Sequence, residues 1–161
     1  MRRAVVVAVV GALLPSMSSA QSRPSVQGAW QVVEISTTGV GPSTNSSPQP
    51  GLYLFTGKHY SIMRVTSPDP RPGFSDPANV TAAEALAVWG PLQAQSGTYE
   101  VVGGSLMLLP QVAKNPGVMR AGRKADIYTF TLQGESLTLV QTSDGVGAVA
   151  NAPTIRLKRV E

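Results

Sequence analysis

Cysteine occurs at none of the 161 positions of the chain. That absence excludes a disulfide framework, a thiolate metal site, a thiol nucleophile and a lipid-bearing cysteine. Histidine is nearly as scarce, with His59 alone. A metal centre needs three or four converging ligands, and one histidine among dispersed carboxylates supplies no such set, so neither a metal nor a cofactor is expected. Gly-x-Ser-x-Gly, His-Glu-x-x-His and Ser-x-x-Lys are missing too, and with them the common ways of presenting a nucleophile or a zinc ion. No residue is therefore assigned a catalytic role. His59, beside Lys58 in a strand pattern, reads as a solvated or hydrogen-bonded side chain rather than a proton switch.

Charge is also sparse, at 14% of residues. Lys and Arg are scattered singly except at Arg2-Arg3, Arg123-Lys124 and Lys158-Arg159. A nucleic-acid surface would show a basic stripe interleaved with aromatics, so no nucleic-acid partner is expected. Gly145-Val146-Gly147 is an isolated Gly-x-Gly ahead of a strand rather than a helix, and a phosphate cradle would need the helix.

The chain begins Met1-Arg2-Arg3, continues through an apolar run at 4–14, and then meets Pro15 and the small residues Ser16-Met17-Ser18-Ser19-Ala20. This is the layout of a secretion signal with cleavage after Ala20. A stable membrane span needs roughly 20 apolar residues, which Pro15 and the serines prevent. The expected product is residues 21–161 as one domain, exported to the periplasm or the medium with no membrane anchor. Removing Arg2 and Arg3 lowers the basic count from 13 to 11, against 9 acidic residues, so part of the chain's basicity belongs to the signal.

What remains is a series of short alternating or β-branched runs punctuated by Gly, Pro, Ser and Asn, the pattern of an all-β sandwich or barrel. Eight runs are visible, at 26–36, 52–55, 59–66, 98–102, 105–109, 125–132, 136–142 and 153–160. In the first, Trp30 and Val32 share one face and Val33 and Ile35 the other. Residues 37–50 form a polar loop, and 67–77, with Pro68, Pro70, Pro72 and Pro77, cannot be regular structure. Thr81 and Glu84 make a capping box that opens one helix at 82–89, between the third and fourth strands, ended by Gly90-Pro91. Consecutive hairpins leave two open edges unless the first and last strands pair, so an up-and-down antiparallel barrel of about eight strands is expected.

Gly28-Ala29-Trp30 resembles the Gly-x-Trp opening of lipocalins. Residues Gly28 to Glu34, Phe55 to Ser61 and Gly97 to Val101 resemble segments of the bacterial lipocalin-like domain family, a calycin-type β-barrel. The resemblance implies that Gly28 and Trp30 sit at the closed end of the barrel with an arginine of the last strand over the indole. Arg159, which shares strand parity with Ile155 and Leu157, is the partner expected, with Arg156 the runner-up. The family's C-terminal helix is missing here.

Tyr53, Phe55, Tyr60, Tyr99, Tyr128, Phe130, Leu139 and Arg64 are the residues positioned either to line a ligand cavity or to fill the core, since small barrels do one or the other. Glu34, Glu100 and Asp126 read as outward-facing or paired with Arg64 or Arg123, because a buried carboxylate needs a partner. The functional expectation is an exported, non-catalytic binding protein for a small apolar or amphipathic molecule, with its mouth beside the 37–50 loop. Two rivals stand beside it. One is an interaction module that uses its exterior and loops on a protein partner. The other is an acid/base isomerase or hydrolase that draws on Glu34, Tyr60 and His59.

Overall fold

The computed structural model describes residues 25–39 and 41–161; the expected signal at 1–20 lies outside the described residues. Within them the alternating runs become β1 (Gly28–Thr37), β2 (Ser43–Asn45), β3 (Gly51–Phe55), β4 (His59–Val65), β5 (Leu92–Val102), β6 (Ser105–Ala113), β7 (Asp126–Gln133), β8 (Ser136–Asp144) and β9 (Pro153–Arg159). One helix, α1 (Ala82–Trp89), lies between β4 and β5. β1 pairs antiparallel with β3, each later strand pairs antiparallel with the next, and β9 returns to β1 with Trp30 opposite Arg159 and Thr37 opposite Pro153. β2 and β3 share one edge of β1, β3 against its start and β2 against its end. The result is a closed antiparallel barrel of eight strand positions, without the open edges that invite aggregation.

Three differences from the sequence reading have physical causes. The helix follows the fourth strand rather than the third, because Ser43–Asn45, inside the polar loop, adds a short exposed strand on the free edge of β1. Ile35 joins the core beside Trp30 and Val32 instead of facing away, because the ladder between β1 and β9 skips Val33. An extra residue of this kind resets the two-residue alternation. β5 starts at Leu92 rather than at 98, since Leu92-Gln93-Ala94-Gln95-Ser96 pairs with Ser61–Val65 despite poor strand-forming composition. β6 likewise runs on through Pro110, which falls at a register shift where a missing N–H is tolerated.

The connections divide by length. The tight turns between β3 and β4, β5 and β6, and β7 and β8 gather at one end of the barrel, two of them through Gly103 and Gly134 at φ 58° and 57°, a conformation that disfavours other residues. The long connections 38–50, 66–91, 114–125 and 145–152 gather at the other. In α1 both halves of the capping box form, Thr81 Oγ1 accepting from Glu84 N–H and the Glu84 carboxylate accepting from Thr81 N–H at 3.0 Å. Only Val88 of this helix is buried, and Leu86 and Trp89 are exposed.

The closed end is sealed by Trp30, which is fully buried. Its indole Nε1–H donates to Val26 O at 2.7 Å, and the Arg159 guanidinium lies 4.1 Å above the ring centroid. The same guanidinium donates to Ser25 O at 2.9 Å and Gln27 O at 2.6 Å, so one side chain fixes the strand ends and covers the indole. A cation over a desolvated indole contributes about 0.5–2 kcal/mol. Gly28, at φ 125°, is required there, because a Cβ would collide with Arg159 and the Glu161 carbonyl. Arg156 points outward and pairs with Glu34 at 2.6 Å.

Two stability outcomes follow from this packing. Trp30→Ala should lose about 3–5 kcal/mol, read as a lower denaturant midpoint with an unchanged slope; a variant as stable as the parent would show that the indole does not seal the barrel. Excising residues 41–47, whose short strand is wholly exposed, should shift the melting temperature by a few degrees at most. Loss of cooperative unfolding in that deletion would mean that β2 supports closure.

Candidate functional site

Inside the barrel, strand alternation brings Val32, Tyr53, Phe55, Tyr60, Ile62, Leu106, Leu108, Tyr128, Leu137, Leu139, Ile155 and Leu157 into one buried cluster around Trp30. The residues expected to line a cavity therefore separate. Tyr53, Phe55, Tyr60 and Leu139 are core residues. Tyr99 and Phe130 pack at the margin of the closed end, where Tyr99 meets Phe55 edge to face at 5.2 Å and its hydroxyl donates to Thr56 O at 2.6 Å. Tyr128 is in the core but also forms part of the wall of a cleft at the other end. Arg64 Nε donates to Gln93 Oε1 at 2.5 Å, and no described carboxylate lies within ion-pair distance of it.

The acid/base group of Glu34, Tyr60 and His59 is not brought together. Glu34 bridges to Arg156 on the outer surface. His59 is exposed and Tyr60 buried, as neighbours on a strand must be when one faces inward. Among the described residues no group of three or more His, Cys, Asp or Glu is placed to hold a metal ion.

Polar side chains instead converge at the end that carries the long connections. Gln93 and Gln95 descend from β5, Asp126 and Tyr128 from β7, and Gln141 and Asp144 from β8, around a cleft of about 370 Å³ closed on one side by Asn115, Val118 and Arg123. Two ladder irregularities aim these groups. The β7–β8 ladder skips Thr142, which sets Gln141 opposite Tyr128 and Asp144 opposite Asp126. The β5–β6 ladder skips Gln111 beside Gly97, whose Cβ would strike the Leu109 carbonyl. A second cleft, of about 340 Å³, continues past Gln93, Gln95, Asn115 and Val118 towards Thr66 and Gly90.

The charged centre of this end is a buried pair, Arg123 with Asp126, whose side chains are 11% and 6% exposed. Burial raises the Asp126 carboxyl above its ordinary range; the Arg123 guanidinium pulls it back, Asp144 raises it further, and the Gln95 amide lowers it. Among the described residues, two buried side-chain polar atoms have no partner, Arg123 Nε and the Tyr60 hydroxyl. Tyr60 is raised first by its own burial and then by the Asp126 charge, against the lowering pull of Arg123. Gly145, at φ 75°, packs against Lys124 O and the Arg123 guanidinium, where a Cβ would not fit. The lone Gly-x-Gly thus serves to cover an ion pair.

Sequence reasoning missed Gln93, Gln95, Asn115, Gln141 and Asp144. Carboxamides two apart at 93 and 95 were a faint signal, readable only once β5 is known to begin at Leu92.

The carboxylates should titrate on opposite sides of their ordinary values, as carbon-detected NMR can follow. Asp126, raised above 3.8, contributes stability that is present below that pH and lost as pH rises through its folded pKa. Glu84 is lowered from 4.5 to about 2, first by the Ser75 hydroxyl and then by Thr81, so its contribution is present above 4.5 and lost as pH falls towards about 2. Glu84→Gln should flatten the acid limb of the stability profile, and an unchanged limb would rule out the capping box as its source.

No protein-family model, no curated protein and no solved structure matches the chain.

Proposed function

We propose that this chain is an exported, non-catalytic binding protein of the lipocalin-like type, which holds a small amphipathic molecule at the mouth of its barrel. The observation that carries this reading is the division of the interior. The bore around Trp30 is filled with side chains, and although both rims carry clefts, of about 570 Å³ beside Val26 and Tyr99 and of about 340 and 370 Å³ at the opposite end, the latter alone gather several carboxamides and a buried ion pair. A ligand site is typically concave, with a few convergent polar groups. The ligand therefore sits above the packed tyrosines rather than among them. Export is supported by the basic, apolar and small-residue segments at 1–20, and the lipocalin-like assignment by Gly28-Ala29-Trp30 together with barrel closure.

A second reading has its own observation. The outer wall carries a groove of about 440 Å³ formed by Leu52, Met63, Val65, Leu92 and Val160 with Arg71 at its rim, and exposed apolar patches mark protein contacts. It supports an extracytoplasmic interaction module.

Displacement of the dye anilinonaphthalene sulfonate separates the two, combined with native mass spectrometry of the chain isolated from its periplasmic or culture fraction. The mouth reading expects a co-purified small molecule and saturable displacement that weakens in Tyr128→Phe and Gln95→Ala but not in Met63→Glu. Displacement lost only in Met63→Glu would transfer the site to the outer groove, and a protein with neither bound mass nor displacement would defeat the binding reading.

A further inference from the structure

The two mouth clefts share Gln93, Gln95, Asn115 and Val118, so they adjoin and together offer one trough. Each part, at about 370 and 340 Å³, falls within the roughly 300–1,000 Å³ of small-molecule sites. We propose that this trough takes a short neutral saccharide, a hydroxyl-rich chain of two or three rings laid along the carboxamides. This rests on the reading of the mouth as the ligand site and adds the chemical class.

The charges of the trough select for a neutral ligand. Its four charged side chains are Lys114, Arg123, Asp126 and Asp144, whose formal charges cancel. Each is already engaged. Arg123 pairs with Asp126. Lys114 Nζ donates to the carbonyls of Trp89 and Gly90, the latter at 2.9 Å. Asp144 Oδ1 accepts from the N–H groups of Val146 and Gly147 at 2.9 and 3.0 Å. An anionic or cationic ligand could engage the buried Arg123–Asp126 pair only by separating it, which leaves a charge unpaired at high cost, and would otherwise meet only Lys114 and Asp144, which are exposed and solvated.

What is left to bind with is neutral and two-sided. A carboxamide offers two donors and an acceptor, and a sugar hydroxyl likewise both gives and receives a hydrogen bond. Gln93, Gln95, Asn115 and Gln141 place four such groups along the trough; Gln93 Oε1 and Asn115 Oδ1 already accept from Arg64 and from Gly117 N–H, so these two offer mainly their amide N–H donors. A sugar ring also presents an apolar C–H face, for which the Tyr128 ring and Val118 supply matching surface. The strand-borne amides are held by barrel pairing, Gln95 on both sides and Gln93 and Gln141 on one, so little backbone ordering is needed on binding.

The test is an NMR titration of the whole exported chain labelled with nitrogen-15, read at its side-chain amide signals. Maltotriose, cellotriose and N,N′-diacetylchitobiose are the neutral probes, with octanoate and choline as charged ones. At least one saccharide should shift the signals of Gln93, Gln95, Asn115 and Gln141 saturably, with Gln141→Leu weakening that probe about tenfold, the loss expected for roughly one hydrogen bond. Gln93→Ala gives the same reading should Gln141→Leu melt early. Shifts produced by octanoate or choline but by no saccharide would overturn the saccharide class and leave the mouth as a ligand site. Saccharide binding that neither variant weakens would overturn the trough as its place, and no response to any probe would overturn both readings.

Discussion

Pairing of the first strand with the last is the constraint on which the rest of the molecule depends. It joins Trp30 to Arg159 across the seam and brings the start of β1 and residues 160–161 to the same rim, where Ala29 N–H donates to Glu161 O at 3.1 Å and Val160 N–H to Ala29 O at 2.8 Å. Closure at eight positions also fixes the bore, and a barrel of this size is wide enough for its own side chains and little more. Trp30, Tyr53, Phe55, Tyr60 and Tyr128 occupy it. The closed seam thus leaves no room for a ligand within the bore, only at its rims.

Regular alternation would have given every strand one apolar face from end to end. The three register shifts, at Val33 in β1, Gln111 in β6 and Thr142 in β8, break that rule. The first returns Ile35 to the core. The third brings Gln141 and Asp144, three residues apart, to the same rim of one cleft. Bulges of this kind re-aim side chains next to sites in many sheets. They let a strand that is apolar near Trp30 become polar at the mouth without changing its neighbours.

This explains which parts of the chain were legible beforehand. Hairpins announced by Gly103-Gly104 and Gly134, the Thr81–Glu84 capping box, and the parity that turns Arg159 inward and Arg156 outward depend on local spacing, which sequence preserves. The strand Ser43–Asn45 carries no such mark, since its residues are polar and exposed and it exists only because β1 has a free edge to offer. Residues 92–96 become strand for the same reason, through pairing with β4. The mouth is assembled from these late additions and from the bulges, so its carboxamides could not be grouped by reading along the chain.

The polar mouth is expensive to maintain, and the location of that expense is informative. A buried ion pair such as Arg123–Asp126 is often replaceable by apolar residues at no loss of stability, and the neighbouring tyrosines already form an apolar floor on which such residues would pack. The chain instead spends Gly145 on close cover for the guanidinium and leaves Arg123 Nε and the Tyr60 hydroxyl buried without partners. Fold stability alone would favour removing these groups. Their concentration at one end, above a core that holds their strands rigid, is what a preorganised recognition surface requires. In the proposed binding role, rigid strands would fix the hydrogen-bonding groups in advance, so less of the contact energy would be lost to ordering them.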